Sequence, residues 1–268
     1  MQLFILGIGS NVLISDKGFN GLVIKNRLQN IKITNTDVHI EAGSTMARVV
    51  AETTKARLSG FEWAIGIPGT IGGSIRGNAG CFGFETKDVL ESVDVFDINK
   101  NTKYKIQNRN CNFGYRDSIF KHSPNLIIFS ALFKLKKGNL QESQEKISEY
   151  SKMRVASQDI GAQCAGCIFK NVLWSRRDLN KTDLIKRFPE LKKFSNQKEI
   201  PAAFLIDHLG LKGIKISNAQ ISRRHANYFI NLGNALAEDV IMLIGLAKER
   251  VQNYYGILLE EEIHYISS

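Results

Sequence analysis

Residues 66–83 read GIPGTIGGSIRGNAGCFG, and this stretch limits the fold more tightly than any other. Seven of its 18 residues are glycine, yet Ile67, Ile71 and Ile75 are interleaved with them and Ile65 precedes them. It is therefore neither a flexible linker nor a low-complexity tail, and it must be ordered. Glycine is needed where the backbone takes positive φ or where another group comes closer than a Cβ allows. Packed this densely among apolar residues, glycines predict a buried turn system whose free N–H groups face an anion or a flat ring. That points to a cofactor cradle. Tight turns between the strands of a compact sheet are the alternative, and they would account for two or three of the glycines.

A chain of 268 residues has room for two domains and is too large for one simple core. A hydrophobic share of 43% beside 23% charged residues excludes the disordered and membrane classes. No apolar run approaches a bilayer span, and the opening MQLFILGIGS carries neither a basic leader nor a cleavage site, so a cytoplasmic protein is expected. Without a secretion signal, Cys81, Cys111, Cys164 and Cys167 read as thiols rather than a disulfide framework. The net charge of +10 raises phosphate-rich partners. The basic residues are, however, spread over many segments without a nucleic-acid-binding motif, so no nucleic-acid partner is expected. In the densest cluster, residues 170–198, nine basic side chains stand against three acidic ones, which suits an anionic small substrate or a solvated face.

Residues 3–6 read as a buried strand running straight into Gly7, Ile8, Gly9, Ser10 and Asn11. Two glycines that bare the backbone, followed by two side-chain donors, make a phosphate-cradle candidate, although they fall short of a full dinucleotide fingerprint. Strands are expected over 21–25 and 38–42, then a helix from about residue 44 to 58 with Ser44 as N-cap and Gly60 past its end. Further strands are read over 89–97, 104–106 and 126–135, the first two joined by a turn at Asn99, Lys100 and Asn101. Ahead of the last of these lies Tyr115-Arg116-Asp117-Ser118. Here Arg116 either clamps a substrate carboxylate or sits in a structural ion pair.

From Gly138 the composition shifts toward Gln, Glu, Lys and Ser, residues 140–154 read as an amphipathic helix, and the boundary between two domains is placed there. Beyond it come a short helix over 203–209, a strand over 228–231 and a long helix over 237–251. In that last helix Val240, Leu243, Ile244, Ala247 and Val251 share one face. Cys164-Ala-Gly-Cys167 suggests a dithiol or half of a zinc site, but no second pair of ligands stands at sensible spacing, so no metal is expected. Near the end, Glu260, Glu261 and Glu262 meet a strand pattern carried by Ile263 and Tyr265.

The order of motifs is more telling than any one of them. GxGSN, GIPGTIGGSIRGNAG, YRDS, AG-C-IFKN, LIDHLGLKG with SRRHANYFIN, and LExE follow one another along essentially the whole chain, in a way that resembles the UDP-N-acetylenolpyruvoylglucosamine reductases, the MurB family. The resemblance implies an α+β protein. Its FAD-binding domain, of the PCMH or vanillyl-alcohol-oxidase type, would span residues 1–137 with 257–268 returning to it. An α+β substrate-binding domain would span 138–256. It also implies a reaction: NADPH reduces FAD, and the enolpyruvyl group of a UDP-sugar is then reduced to UDP-N-acetylmuramate in peptidoglycan precursor synthesis. The expected partners are these small molecules, for a monomer away from any membrane.

By the same resemblance Arg116 grips the substrate carboxylate with Tyr115 beside it, and Glu262 stabilises or helps protonate the enolate-like form. Cys167 stands where the family usually carries a serine as proton donor. A thiol, with a reference pKa of about 8.5, is mostly protonated at neutral pH and is a better acid than a serine hydroxyl, so Cys167 is expected to donate. A pKa lowered by a neighbouring Arg116, or a disulfide to Cys164, would remove that proton. Lys170 and Asn171 are expected at the substrate phosphate or sugar, and Arg154 and His225 at the nucleotide end. Gly7, Gly9, Ser10 and Asn11 are expected toward the FAD pyrophosphate. Ile67, Pro68, Gly69, Gly72, Gly73, Asn78, Ala79 and Gly80 are expected along the isoalloxazine and ribityl portion. Cys81 lies in the same region, but the family binds its flavin without a covalent link. Members of the family also carry a segment ahead of the GxGSN strand, whereas this chain starts at Met1 on that strand. Either the true start lies upstream of Met1 or part of the flavin subdomain is lost; in the second case an apolar edge would be exposed, and the alternative to a reductase is a truncated or degenerate flavin-binding protein without turnover.

Overall fold

The computed structural model describes residues 2–159 and 161–267. The chain divides into two compact units: Met1–Gly9 with Gly21–Ala156, and Ser10–Asn20 with Ser157–Ser268. This division differs from a boundary at residue 138, because all but the last residue of the helix Leu140–Ser157 belongs to the first unit. The physical reason is largely polar. The helix buries Ser143 and Arg154; Ser143 Oγ donates to Glu62 at 2.7 Å, and Arg154 Nη2 reaches Cys81 Sγ at 2.9 Å. Only Ile147 and Tyr150 join the apolar core, so apolar spacing alone does not register where this helix packs. At the other end, His264–Ile266 pairs in parallel with Val12–Ile14, the segment following GxGSN, and both lie in the second unit.

The first unit is built on a five-stranded antiparallel sheet in the order Thr102–Gln107, Leu90–Asp97, Leu126–Lys134, Asp37–Glu41, Ile31–Thr34. Strict alternation in Asp37–Glu41 buries Val38 and Ile40, and Val93, Val95, Ala131 and Phe133 supply the same core. The helices Met46–Lys55 and Ile71–Gly77 add Met46, Val49, Ile71 and Ile75 to it. Each such buried side chain contributes about 1.5–3 kcal/mol, enough to fix which face of a helix turns inward. The cap of the first of these helices is Thr45 rather than Ser44: Thr45 is extended, and its Oγ1 accepts from Arg48 N at 3.4 Å. That helix stops at Lys55 because Arg57 turns to φ 56 and Leu58–Ser59 leaves to pair with Lys136–Lys137. Separately, Gln2–Leu6 pairs in parallel with Gly21–Lys25, where the consecutive Leu22, Val23 and Ile24 are 44%, 44% and 42% exposed.

The second unit has a four-stranded antiparallel sheet in the order Gln163–Cys167, Tyr228–Asn231, Ala219–Ile221, Lys215–Ile216. The helix Ala237–Tyr255 packs on it through Val240, Leu243, Ile244, Ala247 and Val251, the face that its 3.6-residue period dictates, and ends at Gly256 with φ 71. Its first amide is met by Asp16, whose carboxylate accepts from Ala237 N at 2.8 Å. No helix among the described residues is long and apolar enough to cross a membrane.

Candidate active site

Where a system of turns is expected, residues 66–83 contain a helix, Ile71–Gly77. Thr70 caps it, with Oγ1 accepting from Gly73 N at 3.4 Å, and Asn78 ends it in the left-handed region at φ 43. Ile71 and Ile75, four residues apart, both reach the core and hold the helix together despite its glycines. Those glycines fall into two kinds. A Cβ would stand 3.1 Å from Ala42 Cβ at Gly72, 2.4 Å from the Phe84 carbonyl oxygen at Gly80 and 2.7 Å from Thr70 Oγ1 at Gly7, so these three serve close packing. A Cβ at Gly73 would meet only Thr70 Oγ1 at 3.6 Å, and one at Gly77 nothing within 4 Å. A side chain at these two positions would meet no packing obstacle; Gly73 is exposed and Gly77 partly so. Gly77 was not among the residues singled out from the sequence, where packing and open glycines look alike.

The YRDS motif forms a tight turn in which Gly114 and Asp117 exchange backbone bonds. Arg116 within it takes φ 54. Three bonds fasten this turn to the end of the glycine-rich segment: Arg116 Nη2 to the Gly80 carbonyl at 2.7 Å, Asn78 Nδ2 to the Gly114 carbonyl at 2.9 Å, and Ser118 Oγ to the Arg76 carbonyl at 2.7 Å. The Tyr115 ring lies 5.3 Å from the guanidinium carbon. Motifs about forty residues apart thus become one rigid piece that aims a cation. Arg154, expected at the nucleotide end, is buried against this same segment. It rests over the Phe82 ring at 5.4 Å and donates to Cys81 Sγ, and Gly66 at φ 72 makes room for it. Burial pushes the Cys81 thiol up, and the Arg154 and Arg116 charges oppose that push. Cys111, wholly enclosed, is pushed up to about 11 by burial alone, which suits an inert thiol.

In the second unit, Ser10, Asn11, Cys167, Lys170 and Glu262 come together. Glu262 N donates to the Ile168 carbonyl at 2.7 Å, Lys170 N donates to the Glu260 carbonyl at 2.8 Å, and Phe169 bridges Glu261. The segment that follows the thiol therefore runs antiparallel to the carboxylate-bearing one. Asn11 Nδ2 donates to the Glu262 carbonyl at 3.1 Å, and a Cβ on Gly166 would lie 3.7 Å from the Ser10 carbonyl oxygen. Cys164 and Cys167 are both partly buried thiols outside any disulfide, on a strand whose register shifts between them. Lys170 Nζ lies 3.4 Å from Glu260. The Asn171 carboxamide donates to Glu199 at 2.7 Å and accepts from Ala202 N at 3.1 Å, which caps the helix Ala202–His208. The His225 ring packs on Tyr228 at 4.6 Å, and burial, with the Lys212 charge, pushes its imidazole down.

Two family descriptions match this sequence: an FAD binding domain over residues 1–102 and the C-terminal domain of UDP-N-acetylenolpyruvoylglucosamine reductase over residues 158–266. Among curated proteins, the UDP-N-acetylenolpyruvoylglucosamine reductase of Syntrophomonas wolfei is 34% identical across 98% of this chain and 80% of its own length. The same-named proteins of Caldicellulosiruptor bescii and Carboxydothermus hydrogenoformans are 37% and 38% identical, covering 99% and 97% of this chain and 77% and 78% of their own. The crystal structure of the Thermus caldophilus reductase superposes with a TM-score of 0.78 at 30% identity, covering 99% of this chain and 85% of that one.

Proposed function

This chain belongs to the UDP-N-acetylenolpyruvoylglucosamine reductase family, and on that premise we propose that it reduces the enolpyruvyl group of UDP-N-acetylenolpyruvoylglucosamine to UDP-N-acetylmuramate with NADPH as reductant and FAD as cofactor. FAD, when bound, supplies the two-electron relay from NADPH to the double bond, and the open backbone of Gly73 and Gly77, with Ile67, Pro68 and Gly69 before them, would hold its ring. Reduction at one alkene carbon throws negative charge onto the substrate carboxylate. Arg116, whose orientation the Gly80 carbonyl already sets, meets that charge without having to reorganise. The S–H of Cys167 gives its proton to the neighbouring carbon, leaving a thiolate that solvent reprotonates, and Glu262 on the adjoining segment completes the acid pair. Lys170 and His225 serve the phosphate and nucleotide end. Asn171 and Arg154, both engaged within the fold, act by shaping the site.

The observation that carries these assignments is the bond from Glu262 N to the Ile168 carbonyl, which joins the residue after the proposed donor to the proposed carboxylate across 94 positions of sequence. A degenerate protein would have no reason to keep a guanidinium, a thiol and a carboxylate at the motif positions. We take the working form to be a cytoplasmic monomer with no nucleic-acid partner. Purified protein should be yellow and should oxidise NADPH only when the enolpyruvyl UDP-sugar is present. Colourless protein that stays inert after FAD is added would overturn the proposal.

A further inference from the structure

We infer that Asn227 is a positioning residue for proton transfer, an inference that rests on the reading of Cys167 as the donor. Cys167 ends a strand whose register has just slipped, with Gly166 at φ 77, and the ladder alone leaves such a bulged end poorly determined. What determines it is Asn227, 2% exposed and aimed at the residues that follow the thiol. Its Oδ1 accepts from Phe169 N at 2.9 Å, its Nδ2 donates to the Phe169 carbonyl at 2.8 Å, and its own carbonyl accepts from Ile168 N at 2.9 Å. One residue thereby satisfies three neighbouring backbone groups, as a strand partner would.

The opposite edge of the same segment is bonded to the carboxylate-bearing one, through Ile168 O to Glu262 N and Lys170 N to Glu260 O. A shift of the Ile168–Phe169 peptide would therefore displace thiol and carboxylate together. The loop that presents Asn227 is itself fixed. Ser222 Oγ accepts from Arg224 N and His225 N at 2.9 Å each and donates to Asp159. Asn227 touches no reacting atom in this reading; it acts through the peptide it holds. The requirement is specific to a carboxamide, since Phe169 needs both an acceptor and a donor from one side chain. Aspartate supplies the acceptor, and it supplies the donor only when protonated.

The test uses FAD-loaded full-length Asn227→Ala and Asn227→Asp, with Cys167→Ala alongside. Flavin reduction by NADPH, substrate reduction, alkylation of Cys167 by iodoacetamide and amide exchange at Ile168 and Phe169 are measured separately. Flavin reduction should stay within about twofold of the parent while substrate reduction slows about 10- to 100-fold. Amide exchange should quicken and the alkylation rate should change. Asn227→Asp should regain substrate reduction as pH falls and its carboxyl takes up the proton that Phe169 O needs, with flavin reduction unmoved over the same range, a selectivity that a merely structural role would not produce. Should truncation to alanine cost the fold, the isosteric Asn227→Asp carries the test. Equal slowing of both half-reactions, or unchanged alkylation together with an unchanged substrate step, overturns the inference. If Cys167→Ala reduces substrate like the parent, the donor reading falls and this inference falls with it. If Cys167→Ala is slow while the Asn227 variants behave as parent, only the role of Asn227 is lost.

Discussion

Arg116 shows what a single residue is asked to bear. At φ 54 it occupies a backbone region that costs an ordinary L residue roughly 1–2 kcal/mol, and the Gly114–Asp117 bonds and the bond from Lys121 Nζ to the Arg116 carbonyl keep it there. A glycine would relieve the backbone and lose the cation. Arg116→Gly gains this relief but loses the bond to the Gly80 carbonyl and adds unfolded-state freedom, so its melting temperature should stay close to the parent's while its kcat falls by about 100-fold or more, a split that calorimetry and steady-state kinetics can separate. The thiol offers a second contrast. Cys167→Ala should leave flavin reduction nearly intact and slow substrate reduction, whereas Cys167→Ser should retain much of the activity because a hydroxyl still carries a proton. A Cys167→Ala enzyme with parental turnover would mean that another group supplies it.

Among the elements, the Ile71–Gly77 helix separates folding from binding within seven residues. Gly73 lies in the helix at negative φ with room for a methyl group, so Gly73→Ala should stabilise the fold by about 0.5–1 kcal/mol while weakening FAD binding, because the methyl occupies the face proposed for the ring. If flavin titration gives parental affinity, that face is not the cradle. The helix Leu140–Ser157 is tied to the same region by Glu62, which accepts from Ser143 Oγ at 2.7 Å and from Gly60 N at 2.8 Å. Burial pushes the Glu62 carboxyl up, but these donors outweigh it and hold it below the ordinary range. A carboxyl depressed in the fold stabilises it above the unfolded pKa, and that contribution is lost as pH falls through the folded one. Glu62→Gln should thus lose stability at neutral pH and show a shallower acid-side decline in melting temperature than the parent. Elements with apolar period, such as Asp37–Glu41 and Ala237–Tyr255, are legible because one buried face fixes them. The glycine helix is not, since its two inward isoleucines are too few to set a period, and the Leu140–Ser157 helix falls beyond the boundary expected at residue 138 yet groups with the first unit, because serine and arginine rather than an apolar stripe anchor it.

Across the whole molecule, the chain enters the second unit at Ser10, leaves it at Asn20 and returns at Ser157, an excursion that composition does not announce because its eleven residues form only one short strand. Motif order names the candidate residues in each unit, yet the pairing of residue 12 with residue 264 is a property of topology alone. The excursion is held at two points. Val12–Ile14 pairs with His264–Ile266, with added bonds from His264 N to the Asn11 carbonyl and from Ser15 N to the Ile266 carbonyl, and Asp16 caps the helix Ala237–Tyr255. Removing residues 264–268 takes away the first hold, at roughly 0.5–1.5 kcal/mol for each backbone bond, and leaves the second. The shortened chain should keep the helix cap but show rapid amide exchange at Val12–Ile14 and protease cleavage within residues 10–15. Adding Asp16→Ala should release the remainder and extend the cleavage toward residue 20. FAD affinity should fall at the first step, since Ser10 and Asn11 are set by the same pairing. If Val12–Ile14 stays protected after the truncation, something other than the terminal strand holds residues 10–15 in place, and the placement of Ser10 and Asn11 beside Glu262 must then be set by their own turn.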